Sequence, residues 1–194
     1  EILNNNITNS VITVGNFDGL HLGHFKIINL VKEIAFAKSS KSIVVTFDPH
    51  PSEVLGYNKE PDFLITSLSK KLDLLNDFGI DFVYIVKFDK KFANIDAQTF
   101  IKDFLCSKFN PTDIVIGYDH SFGKDREGSF ELFNELGKEL SYIPHKVEKV
   151  KLDNFEIKSN IIRDLLKNGE LYVANNLLGR KFSFDGKVVQ GKGL

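Results

Sequence analysis

Runs of consecutive apolar residues alternate along this chain with stretches in which apolar residues recur every three or four positions. Val11-Ile12-Thr13-Val14 is a β-branched run closed by Gly15, and it predicts a strand buried on both faces. Beyond Asp18-Gly19, the residues Leu22, Phe25, Ile28 and Val31 fall at helical spacing, which predicts a helix ending near Ser39-Ser40. Ile43-Val44-Val45-Thr46-Phe47 predicts a second buried strand. The following Asp48-Pro49-His50-Pro51 reads as a rigid loop that neither a helix nor a central strand can absorb. A helix is expected from Ser67 as N-cap through Leu68, Leu72 and Leu75 to Gly79. A strand over 82–86, a helix over 97–108, a turn at Asn110-Pro111-Thr112 and a strand over 113–116 continue the alternation. Continuous apolar strands separated by helices predict an α/β fold with a mainly parallel sheet and helices on both faces.

Later segments depart from this rhythm. Residues 117–128 form a polar, glycine-punctuated stretch between a strand and a helix, where open α/β sheets place ligand loops. Residues 160–166 and 170–178 read as short helices separated by Asn168-Gly169. After Gly179 the pattern Phe182-Ser183-Phe184-Asp185-Gly186-Lys187-Val188-Val189 predicts a hairpin turning at Asp-Gly. The division expected is therefore a main domain over 1–178 and, over 179–194, a linker with the first strands of a β-rich unit.

Composition narrows the function classes. Twenty-five basic against twenty-six acidic residues leave a net charge of −1, so a nucleic-acid partner, which calls for a basic excess on one face, is not expected and any anion site is local. No membrane-length apolar run is present, and a single cysteine, Cys106, forms no intramolecular disulfide; both suit a cytoplasmic protein. Cys106 lies in an apolar helical stretch and reads as a packing residue. The chain contains no methionine and opens on Glu1, so it reads as part of a longer open reading frame.

Chemistry concentrates in Gly15-Asn16-Phe17-Asp18-Gly19-Leu20-His21-Leu22-Gly23-His24, where the first strand hands over to the first helix. Gly15, Gly19 and Gly23 let the backbone bend toward a ligand, and a helix N-terminus offers unpaired N–H groups and a positive dipole end. His21 and His24, three apart, add two ring donors on one side of a starting helix. The pair lacks the i, i+4 spacing and intervening Glu of a zinc-protease helix, and no Gly-Lys-Ser/Thr follows the glycines as in a Walker loop.

This segment resembles the G-x-F-D-G-x-H-x-G-H signature of the H-x-G-H nucleotidyltransferases, in the form found in the prokaryotic bifunctional riboflavin kinase/FAD synthetases. Four further stretches agree in order. Thr46-Phe47-Asp48-Pro49-His50-Pro51 is similar to that family's flavin-side loop. Gly117-Tyr118-Asp119-His120-Ser121-Phe122-Gly123, with Arg126 and Gly128, is similar to its nucleotide-side loop. Lys158-Ser159-Asn160-Ile161-Ile162-Arg163 stands in place of its I-S-S-T-x-I-R motif, keeping the identities of Ser159, Ile162 and Arg163. The stretch from Leu177 to Gly193 is similar to the junction into the riboflavin kinase domain.

The resemblance implies a Rossmann-like nucleotidyltransferase fold and transfer of AMP from ATP to FMN, giving FAD and pyrophosphate. Mg²⁺ is expected to enter with the triphosphate, and the full-length protein is expected also to phosphorylate riboflavin. The residues it nominates for the phosphates and transition state are His21 and His24, with Ser159, an expected N-cap, and Arg163 closing on the triphosphate. It further nominates Gly15, Asn16, Phe17, Asp18, Gly19 and Gly23 around ATP, Asp48, Pro49, His50 and Pro51 on the flavin side, and Gly117, Asp119, Phe122 and Arg126 on the nucleotide side. Another H-x-G-H adenylyltransferase, acting on a pantetheine or nicotinate nucleotide, and a non-catalytic flavin- or nucleotide-binding module remain as alternatives, because H-x-G-H alone specifies chemistry and not substrate.

Overall fold

The structure is a computed structural model that describes residues 9–57, 64–120, 122–152, 155–186 and 188–191. Its centre is a five-stranded, wholly parallel sheet in the order β3-β2-β1-β4-β5, built from β1 (Ser10–Val14), β2 (Lys41–Asp48), β3 (Phe82–Lys87), β4 (Pro111–Gly117) and β5 (Ile143–Val147). The strands with unbroken apolar runs, β1, β2 and β4, occupy the middle, where both faces are covered. β3 lies at one edge with Phe82 and Ile85 partly open to solvent.

The other edge, β5, is not predicted by the hydrophobic pattern. Its sequence Ile-Pro-His-Lys-Val buries only Val147, so an apolar run is neither present nor required. Pro111 opens β4, at the strand start where the missing N–H breaks no interior ladder bond.

One face of the sheet carries α1 (Leu22–Ala37) and α3 (Leu68–Asp77), which bury Ile28, Val31 and Leu75 against Val11, Val44 and Val115. The opposite face carries α7 (Phe130–Leu140) and a long helix that runs from α5 (Ala97–Thr99) through a π-helical stretch (Phe100–Cys106) into α6 (Ser107–Phe109). Phe100, Ile101, Leu105 and Phe133 pack there on Ile12, Ile43 and Ile114. The predicted helix over 97–108 is thus present, with a wider-wound middle, and Cys106 sits in it with its thiol pushed up to about 11 by burial.

Four short elements modify the predicted outline. Asp48 ends β2 and Pro51 opens the one-turn helix α2 (Pro51–Val54), so the segment expected to be wholly loop is divided between a strand and a helix. Proline tolerates the first helical position because the N–H it lacks has no intrahelical partner there. α4 (Lys90–Ala93) follows β3, and β6 (Lys151–Leu152) pairs antiparallel with β7 (Phe155–Glu156).

The chain closes with α8 (Ser159–Lys167) and α9 (Leu171–Leu178), whose Ile162, Ala174, Leu177 and Leu178 form a third core with Ile65 and Ile157. The described residues after Gly179 contain no strand, and Phe184 and Val188 are exposed; a hairpin with nothing to pack its apolar face against is marginal at best. Lys187 of that predicted hairpin, residues 192–194 of the expected linker and β-rich unit, and Ser121 of the nucleotide-side loop lie outside the described residues. Among the described residues no helix is long and apolar enough to cross a membrane.

Candidate active site

The strand order reverses direction between β1 and β4, and at such a switch point the loops leaving the carboxyl ends of the two strands part to leave a crevice. Residues 15–21, leaving β1, and 118–120 and 122–128, leaving β4, form its rim. Within the first loop Phe17, Gly19 and Leu20 take positive φ of 48°, 83° and 38°. For Phe17 and Leu20 this costs on the order of 1–3 kcal/mol each and persists only where surroundings enforce it.

The surroundings do so from several elements. The buried Asp18 carboxylate accepts hydrogen bonds from the N–H groups of Ile65 and Thr66 and pairs with the Arg163 guanidinium at 3.0 Å. The Gly19 N–H donates to Thr66 Oγ1, Ser159 Oγ donates to the Asp18 carbonyl, and Arg180 Nη1 donates to the Leu20 carbonyl. The Asn16 carbonyl accepts from Thr46 Oγ1 at 3.2 Å and from Lys71 Nζ at 2.7 Å.

His21 is the N-cap of α1, its Nδ1 accepting from the His24 N–H at 3.3 Å, which assigns the ring proton to Nε2. The two imidazoles stack with centroids 3.6 Å apart and planes 15° from parallel. Gly23 leaves the room this requires, since a Cβ there meets the His21 ring at 3.1 Å. Burial lowers His21 to about 4 and holds His24 well below the ordinary imidazole value, with the His21 ring adding to the effect. At neutral pH both rings are therefore uncharged hydrogen-bonding groups, and His24 Nδ1 is buried with no partner among the described residues.

Three cavities open from this loop. A central cleft of about 390 Å³ is lined by Phe17, Asp18, His24, His50, Ser159 and Arg163, among others. On one side a cavity of about 440 Å³ lies between His21, Gly23, Tyr118 and Lys158. On the other, a larger cavity of about 720 Å³ is walled by Phe47, Pro51, Phe88, Phe92, Phe100 and Phe122. Asn16 and Arg126 line all three, so they stand where the three spaces meet.

Most residues nominated from the sequence converge here. Gly15 lines the central cleft and the 720 Å³ cavity, Gly117 and Asp119 the central cleft and the 440 Å³ cavity. Asp48 and Pro49 are exposed and, like Gly19, line none of the three, so the flavin-side loop contributes Phe47, His50 and Pro51. Ser159 is not the cap of α8: that position is Lys158, which makes no side-chain cap, while the Ser159 hydroxyl is spent on Asp18. Lys158 pairs with Glu156 at 3.2 Å, and Glu156 accepts from the Tyr118 hydroxyl at 2.6 Å.

Several site residues are missed by sequence reasoning. The phenylalanines of the larger cavity are indistinguishable from core residues by pattern. Lys71 leaves a readable mark, because it falls three after Leu68 and four before Leu75, on the buried stripe of an otherwise amphipathic helix.

Comparison with known proteins adds a family. Residues 3–161 match the model of the family described as FAD synthetase. The chain is 38% identical over 183 residues to the bifunctional riboflavin kinase/FMN adenylyltransferase of Bacillus subtilis (strain 168), covering 94% of this chain and 57% of that protein. The protein of the same name from Escherichia coli (strain K12) is 35% identical over 181 residues, covering 93% and 58%. The chain thus spans just under three-fifths of the curated relatives it matches. Among solved structures, a macrolide-efflux protein from Streptococcus pneumoniae superimposes with a TM-score of 0.81 at 26% identity, covering 92% of this chain and 67% of that one. A pantoate-beta-alanine ligase from Francisella tularensis, complexed with beta-gamma ATP and beta-alanine, superimposes with a TM-score of 0.50 at 15% identity over 93% and 82%, a likeness of fold alone.

Proposed function

This chain belongs to the FAD synthetase family, and from that premise we propose that it transfers the adenylyl group of ATP to FMN, forming FAD and pyrophosphate. The observation that carries the reading is the meeting of three unlike cavities at Asn16 and Arg126. The aromatic-walled cavity suits a flat isoalloxazine ring, the polar central cleft suits phosphates, and the third cavity suits adenosine.

A phosphate oxygen of FMN attacks the α-phosphorus of ATP, and the bond to the β-phosphate oxygen breaks with its electron pair leaving on pyrophosphate. Phosphate is already an anionic nucleophile, so the chain needs to align it and stabilise spreading negative charge, with no covalent intermediate. His21 and His24 serve as uncharged N–H donors to phosphate oxygens, the protons of the α1 N-terminus adding to them. Arg126 supplies charge at the junction of the cavities, and Arg163, positioned by Asp18, supplies it from α8.

Mg²⁺, entering with the triphosphate, would supply neutralisation of charge on the leaving group. With the Asp18 carboxylate engaged by its own chain, Asp119 is the carboxylate of the cleft left to meet such an ion, and among the described residues no group of three or more metal-ligating side chains forms a cage. In the full-length protein a riboflavin kinase domain follows the stretch ending at residue 178.

The test is incubation of the chain with ATP, Mg²⁺ and FMN, with FAD and pyrophosphate quantified by chromatography. Equimolar FAD and pyrophosphate are expected. AMP transfer solely to a pantetheine or nicotinate nucleotide, or tight FMN binding without any product, replaces this reading with one of its alternatives.

A further inference from the structure

Lys71 is a cation without a counter-ion. It is 5% exposed, and its Nζ meets two neutral oxygens, the Asn16 carbonyl at 2.7 Å and Thr46 Oγ1 at 3.3 Å. Among the described residues no carboxylate lies within ion-pairing distance of it. The acidic residues whose charge reaches it are Asp18, already paired with Arg163, and Asp48, which is exposed. A buried ammonium group is costly unless its charge is met, so an unmet one beside a ligand cleft marks where an anion belongs.

Its position says which anion. The carbonyl it holds belongs to Asn16, the residue shared with Arg126 by all three cavities. The Asn16–Phe17 peptide is trans, so the Phe17 N–H points opposite to the carbonyl and hence away from Lys71. Phe17 lines the central cleft, in the left-handed conformation that turns successive N–H groups into an anion-binding concavity.

We propose that Lys71 is a positioning residue for a bound polyphosphate. Its ammonium group fixes the Asn16–Phe17 peptide with the N–H toward the cleft and supplies, from beneath the loop, positive charge that the bound anion answers. This rests on reading the central cleft as a triphosphate site. Burial lowers the ammonium pKa below its usual 10.5, an effect Asp18 and Asp48 only partly oppose, and a bound polyanion reverses that effect.

The experiment uses inorganic pyrophosphate with Mg²⁺ as a probe that needs no acceptor, read as the rise in Tm it causes, alongside kcat and KM for ATP. For Lys71→Met, which keeps length and removes charge, the free protein is expected to melt at or above the unmodified Tm. Its pyrophosphate-induced rise disappears and kcat/KM for ATP falls about tenfold or more, the scale of one charge-assisted contact. Lys71→Gln retains a donor for the Asn16 carbonyl and is expected to lose the pyrophosphate response as well, whereas Lys71→Arg restores most of it.

A Lys71→Met or Lys71→Gln protein that responds to pyrophosphate as the unmodified chain does overturns the proposal. So does a loss confined to the Tm of the free protein, which is the mark of a purely structural lysine. If the unmodified chain responds to pyrophosphate but makes no FAD, the acceptor assignment fails while the role of Lys71 stands. If the unmodified chain shows no response, the polyphosphate reading of the cleft fails and the proposal with it.

Discussion

The Asp18 carboxylate and the Arg163 guanidinium meet at 3.0 Å across 145 residues of sequence, joining the loop after β1 to the second turn of α8. Both side chains are largely buried, at 2% and 15% exposure, so the pair is a fastening between the ligand loop and the third core. Asp18→Ala breaks the ion pair with Arg163 and removes the acceptor of the Ile65 and Thr66 N–H groups together. An expected cost of about 3–5 kcal/mol follows from breaking a buried ion pair by removing one partner. Urea denaturation measures it. Adding Arg163→Met to Asp18→Ala should then cost far less than the sum of the single changes, and strict additivity in that cycle would falsify the fastening role.

Acid should loosen the molecule in a defined window. Burial lowers His21, His50 and His120 to about 4 and His24 well below 6.5, while in the unfolded chain each titrates near 6.5. Between those values the unfolded chain binds more protons than the folded one, so stability rises with pH across the window and is fully present above it. At pH 5.0 the cost is about 2 kcal/mol for each of His21 and His120. The carboxylates Asp81 and Asp113, held below 3.8, add to acid sensitivity only at still lower pH. Melting curves at pH 7.5, 6.0 and 5.0 check this; a Tm constant over that range contradicts it.

The strand-turn-helix opening is legible in the sequence because burial on both sheet faces demands an unbroken apolar run and the turn demands Gly19. The same reasoning passes over β5, since an edge strand with Pro144, His145 and Lys146 needs neither an apolar run nor alternation. His21 and His24 are legible as a pair because their spacing acts locally. The fastenings of the loop are not, because Ile65, Thr66, Lys71, Ser159 and Arg180 reach it through the tertiary fold from separate parts of the chain. Ser159 shows the limit: its place before an apolar helix predicts a cap, while a carbonyl 141 residues away claims its hydroxyl.

A strap at the 440 Å³ cavity should tune nucleotide binding without supporting the fold. The Tyr118 hydroxyl donates to Glu156, Lys158 pairs with the other carboxylate oxygen, and Lys149 and Lys158 both lie over the Tyr118 ring. Burial and the Glu156 carboxylate push Tyr118 up to about 12, so it remains a donor at any working pH. Tyr118→Phe keeps the ring and cuts the link, and KM for ATP is expected to rise about two- to fivefold, the scale of a solvent-screened contact, with Tm unchanged. Salt near 0.5 M should reproduce part of that rise in the unmodified chain and none in the variant.

Thr13 and His120 each bury a polar atom with no hydrogen-bond partner among the described residues, and they should respond differently to its removal. Thr13 is the fourth of the five residues of β1, fully buried, and lines none of the three cavities. Thr13→Val replaces the orphan hydroxyl by a methyl group of nearly the same shape, so it is expected to raise stability by about 1 kcal/mol and Tm by about 2–4 °C, with kcat and both KM values unchanged. His120 stacks on Phe122 and lines the central and the aromatic-walled cavities, so its ring stands in the wall between them. His120→Phe keeps the stacking and removes the unpaired nitrogen, and a similar gain in Tm is expected. An orphan group beside a ligand space is retained at a cost in stability where the ligand uses the side chain, so this variant should also raise KM for FMN while leaving KM for ATP alone. Thermal melts with steady-state kinetics on both variants decide the matter: equal gains in Tm with unaltered FMN kinetics would make His120 a packing residue no different from Thr13.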